Sequence, residues 1–119
     1  MPEGRNSRVY THNMDESRLR AEQLLTLSSA GRRLSDLVSA AVAPLRYEVV
    51  RHLLRVSEET MTETLEEVVE LHLVKRGPDP FTYVPFDDAT GDAIRGGMEP
   101  ERLARLRGQI ESASLRVFE

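Results

Sequence analysis

Residues 56–86 read VSEETMTETLEEVVELHLVKRGPDPFTYVPF: an acidic amphipathic run, a basic turn and a short aromatic segment. Ser57 is a good helix N-cap, since its hydroxyl can accept from an otherwise orphaned amide of the first turn. Glu58 and Glu59 then suit the positive end of the helix dipole. Met61, Leu65, Val68, Val69 and His72 recur at steps of 4, 3, 1 and 3, which predicts one apolar helix face. The glutamates at 58, 59, 63, 66, 67 and 70 spread over the remaining surface. Gly77, Pro78, Asp79 and Pro80 make a turn by composition. Residues 81–84 suit a strand, whose ability to pair centrally ends at Pro85, so residues 71–75 and 81–84 are expected to form a short hairpin.

Outward from this stretch the pattern is helical. Residues 1–13 hold Gly4, Asn6, Ser7 and Asn13 without periodicity and predict a flexible tail. A helix over 14–29 is expected from the Asn13 cap and from Ala21, Leu24, Leu25 and Ser28. Gly31 would stop it, and a second helix would start near Arg32 with Leu34, Leu37, Val38 and Ala41 on one face, ending at Pro44. A third helix over 45–55 would turn Val49, Val50, Leu53 and Leu54 inward and carry Arg46, Arg51, His52 and Arg55 on its polar side. After the hairpin, residues 88–95 read as a short helical turn closed by Gly96 and Gly97. Pro100 suits the first turn of a last helix, where Leu103, Leu106, Ile110, Ala113 and Val117 alternate at steps of 3 and 4. Such a seam fits packing on a single other helix.

The chain has 119 residues, 39% hydrophobic and 30% charged, the size and balance of one globular domain. No uncharged run approaches the roughly 20 apolar residues that span a bilayer, and the N-terminal arginines precede no apolar core of a secretory signal. A cytoplasmic protein is expected. The absence of cysteine removes disulfides, thiol nucleophiles and thiolate zinc sites. A net charge of -4 disfavours a polyanionic partner.

Helices, a two-stranded wing and flanking helices describe a mainly α winged helix-turn-helix domain over 14–119, with a core over 30–97 and flanking helices over 14–29 and 99–117. The phrases Leu54, Val56, Ser57, Glu58, Glu59 and Leu65, Glu66, Glu67, Val68, Val69, Glu70, Leu73, Val74 resemble the winged-helix segment that follows the nucleotide-binding domain in bacterial STAND-class signalling ATPases and transcriptional activators. Gly77, Phe81 and Tyr83, then Pro100, Glu101, Arg102, Leu103, Ala104, Arg105 and Leu106, extend the likeness over about two thirds of the chain. Pro85 stands where that family has a histidine, and Gly91 is expected to shorten and break the helix that follows. The resemblance implies a winged-helix fold with a regulatory role. It brings no nucleotide site, since the chain lacks a glycine-rich loop ending in Gly-Lys-Ser or Gly-Lys-Thr.

Chemistry-bearing residues are sparse. His72 is expected as a partly buried histidine on an apolar face. His12 and His52 have no metal-ligand spacing apart from Glu48, four residues before His52. Asp87, Asp88 and Asp92 lack the alternation and closing glutamate of a calcium loop and read as caps. No serine stands in a Gly-x-Ser-x-Gly setting. The expectation is a protein without catalytic, cofactor or metal sites. A base-reading helix brings arginine, lysine, asparagine or glutamine to the groove, and the glutamates here would face phosphates instead. The sequence therefore predicts a protein-interaction module with regulatory character. Its partner-binding residues would be Glu63, Glu66, Glu67 and Glu70 on the acidic face, and Leu103, Leu106, Ile110 and Val117 in the terminal seam, by self-association or by docking a partner helix. The competing expectation for that seam is closure of the domain's own core. The alternative function is a dimeric DNA-binding regulator using Arg46, Arg51, Arg55, Lys75 and Arg76, unless those arginines pair with the glutamates.

Overall fold

The computed structural model describes residues 27–117, so the expected tail (1–13) and all but the last positions of the expected helix over 14–29 lie outside the described residues. The architecture is mainly helical with a small antiparallel sheet. Its elements run α1 (Ser29–Ala40), β1 (Leu45–Arg46), α2 (Tyr47–Leu54), α3 (Glu58–Glu70), β2 (Val74–Arg76), β3 (Thr82–Pro85), α4 (Asp88–Gly96) and α5 (Pro100–Val117).

The start of α1 differs from the sequence reading. Ser28 is extended and accepts at its hydroxyl from the Gly31 amide at 3.0 Å, so a serine cap opens the helix at Ser29. Gly31 lies inside the first turn instead of ending a helix. Its missing side chain leaves room for Glu67 of α3, whose Oε1 would clash with a Cβ there.

Leu45 and Arg46, expected as the first turn of a helix, form strand β1 instead. Leu45 pairs with Tyr83 and Arg46 with Thr82, and the Tyr47 amide continues the ladder to the Phe81 carbonyl at 2.8 Å. The expected two-stranded wing is therefore a three-stranded sheet of order β1-β3-β2. In the hairpin proper, Val74 faces Pro85, Lys75 faces Val84 and Arg76 faces Tyr83. Pro85 thus sits in the central strand, but past the end of two-residue β1, where no strand needs its missing amide.

Ser57 caps α3 as expected, accepting from Thr60 N at 3.1 Å. The far end corrects the reading of His72. Helix α3 stops at Glu70, and His72 takes a left-handed conformation at φ 57. The bonds Leu73 N to Val68 O (3.0 Å) and His72 N to Val69 O (3.1 Å) make a Schellman closure with histidine where glycine is usual. His72 is exposed and stacks on Phe86, ring centroids 4.8 Å apart. Val69, expected on the buried face, is also exposed, and buried Thr64 joins Met61 and Val68 against the core.

The core brings together Leu34, Leu37 and Val38 of α1, Val49, Val50 and Leu54 of α2, Met61 and Val68 of α3, Leu73, Val74 and Tyr83 at the sheet, Ile94 of α4 and Ala113 of α5. Arginines close the helix C-termini. Arg95 donates to Ser39 O at 2.8 Å and Arg107 to Ala40 O at 2.9 Å, both at the end of α1. Arg33 donates to Leu53 O at 3.0 Å at the end of α2. These carbonyls have no partner within their own helices and form the negative pole of the dipole, so a cation there is stabilising. Arg102 Nη2 lies 2.8 Å from Oδ2 of buried Asp36. Together with Arg107 this contact ties α5 to α1.

Candidate interaction surfaces

The first surface is the outer side of α3. Glu59, Glu63, Glu66 and Glu70 are all exposed, and they follow one another at steps of 4, 3 and 4, a single stripe along the helix. None of these four carboxylates has an ion-pair partner among the described residues. Glu67, expected on the same face, turns instead toward α1, where the Ser28 hydroxyl donates to its Oε1 at 2.7 Å. Glu58 is held by Arg51 at 2.9 Å. This is one of the expected arginine–glutamate pairs.

Of the five cations named for DNA contact, Arg46, Lys75 and Arg76 share the sheet, and Arg51 and Arg55 stand on α2 and at its end. Arg46 and Arg76 occupy β1 and β2, the outer strands of the sheet. Lys75 lines a cavity of about 350 Å³ with Val42, Pro44, Asp87 and Arg95. Arg51 is spent on Glu58, and Arg55 lies at the C-cap of α2 with φ 54.

Along α5 the expected seam is split. Ala113 is buried, and Leu106 and Ile110 pack on the core, so these residues help close the domain against α1 and α2. Leu103 and Val117 are half-buried. Leu115, outside the seam, is 63% exposed.

The second surface has no counterpart in the sequence reading. Between the end of α2 and the length of α5 runs an open groove of about 710 Å³, whose walls carry the guanidiniums of Arg33, Arg55, Arg105 and Arg116 beside His52. Gly108, Gln109 and Ser112 lie on its α5 side, and no carboxylate lines it among the described residues. Arg55, Arg105 and Arg116 have no ion-pair partner among the described residues. Residues 105, 109, 112 and 116 form a stripe that is readable in the sequence. The opposite wall is not, because Arg33 and Arg55 arrive from two other helices.

No group of three or more His, Asp or Glu side chains among the described residues is placed to hold a metal, and no described helix is long and apolar enough to cross a membrane. No protein-family model, curated protein or solved structure matches the chain.

Proposed function

We propose that the chain is a winged-helix protein-interaction module without enzymatic activity, regulatory in character, that presents the acidic side of α3 to a basic partner. Support for the fold comes from the element order helix, strand, two helices and hairpin, with β3 between β1 and β2. In that arrangement α3 occupies the place of a base-reading helix. The observation that carries the functional reading is the stripe Glu59, Glu63, Glu66 and Glu70, exposed and without ion-pair partners among the described residues. Carboxylates without an ion pair in the described fold have none to break on meeting a basic surface, and they steer its approach. Against a phosphate backbone the same stripe is repulsive, and it lies on the helix that would enter the groove. The test is titration of fluorescent mixed-sequence duplex DNA at low salt, with solution mass followed in parallel. The reading predicts no binding at micromolar protein. Micromolar affinity that falls steeply with salt would show phosphate contacts and sink it.

A further inference from the structure

We infer that the arginine groove between α2 and α5 is the docking site for the acidic α3 stripe of a second copy of this chain. The inference deepens the proposed function, on which it rests, by naming the basic partner.

The groove asks for an extended anion. Arg105 and Arg116 are eleven residues apart on one helix, about 16 Å at a rise of roughly 1.5 Å per residue. A single phosphate or carboxylate cannot span that length, so the floor calls for a row of charges. The α3 stripe has the matching length, since Glu59 and Glu70 are also eleven residues apart. The intervals match as well: 59, 63, 66, 70 and 105, 109, 112, 116 both advance by 4, 3 and 4. Two helices laid side by side therefore bring the end carboxylates over the end guanidiniums. Gln109 and Ser112 then supply neutral donors opposite Glu63 and Glu66.

Other features favour the same occupant. A Cβ at Gly108 would meet nothing within 4 Å, so the floor is open at its middle. Arg55, on the facing wall, stands in the left-handed region at φ 54, and its position there adds a cation to the groove. All the permanent cations of the walls are arginines, whose planar fork takes carboxylates in bidentate fashion. Residues 1–26 carry four acidic and four basic side chains, so the chain's own N-terminal segment offers no comparable acidic row. Because groove and stripe are different surfaces, two reciprocal contacts about a two-fold axis close a dimer, while a one-way contact propagates.

The test uses the full chain in sedimentation equilibrium at low and high salt, with two charge-reversed forms, Glu59→Arg/Glu70→Arg and Arg105→Glu/Arg116→Glu. Wild type is expected to associate at low salt and to dissociate as salt screens the contact. Each reversed form alone should associate at least about tenfold more weakly, since like charges brought together repel. An equimolar mixture of the two should form a heterodimer, because each surface then meets its opposite. The neutral forms Glu59→Gln/Glu70→Gln and Arg105→Gln/Arg116→Gln, checked by circular dichroism, give the same weakening if a reversal disturbs folding. A wild-type monomer at every concentration, association indifferent to all these changes, or a mixture that stays monomeric would each overturn the inference. Duplex DNA binding overturns the interaction-module reading itself, whereas a monomer that ignores DNA overturns self-docking alone.

Discussion

Arg55 and His72 are the two non-glycine residues with positive φ among the described residues, at 54 and 57, and both stand where a helix ends. An L-residue pays about 1–2 kcal/mol in this region, and glycine avoids it at some cost in chain entropy. Arg55→Gly is thus expected to raise stability by about 0.5–1 kcal/mol, read as a higher urea midpoint, while removing one groove cation. Unchanged or lower stability would mean that the arginine side chain anchors the α2 terminus. Tyr83 gives a pH dependence. Burial pushes its phenol above the ordinary 10.0, with Arg76 pulling the other way and Tyr47 adding to the rise. The unfolded tyrosine loses its proton near pH 10 while the folded one still holds it, so above that pH the folded state binds more protons and stability falls as pH rises. Tyr83→Phe should flatten that alkaline loss in urea midpoints measured from about pH 8 to 11. A wild-type slope in the variant would assign it to another group.

The elements legible in the sequence are those whose signals are local. Ser57 and the acidic first turn mark α3, Asp87 caps α4 by accepting from Thr90 N at 2.7 Å, and Pro100 opens α5. The hairpin follows from Gly77 and its neighbours. Elements that depend on distant partners were not legible. Strand β1 has two residues, and its pairing partners Thr82 and Tyr83 lie far along the chain. The cap at Ser28 looks like helix interior until the turn at Gly31 is seen against Glu67. His72 fits the apolar spacing of α3, yet the Schellman closure takes it out of the helix before that spacing applies. The attachment of α5 to α1 also rests on a long-range pair, Arg102 with Asp36, a carboxylate 5% exposed. Removing one partner of a buried pair strands the other charge. Arg102→Ala should therefore cost about 2 kcal/mol, less than a fully buried pair because the Arg102 side chain is 40% exposed. Adding Asp36→Asn to that variant should restore part of the loss in urea unfolding, and no recovery would contradict a stranded carboxylate as the cause.

Over the whole molecule the charges are sorted by role. Arg33, Arg95 and Arg107 close helix C-termini, and Arg51 and Arg102 hold Glu58 and Asp36. Among the described charges that these contacts do not use are the acidic stripe on α3 and Arg55, Arg105 and Arg116 in the groove beside α5. The stripe was visible in the sequence as a run of glutamates, though Glu67 had to be removed from it and Glu59 added. The groove was not visible, because its walls come from three helices separated in sequence. The central claim, that α3 meets protein and not DNA, is open to direct measurement. Backbone amide shifts of the labelled chain would be followed by NMR during two titrations. The first uses a helical peptide whose arginines repeat the 4-3-4 spacing of the α3 stripe, and the second uses mixed-sequence duplex DNA. The account predicts that the peptide shifts amides within Glu58–Glu70 and that DNA leaves them unmoved; α3 amides that ignore the peptide and shift with DNA would contradict it.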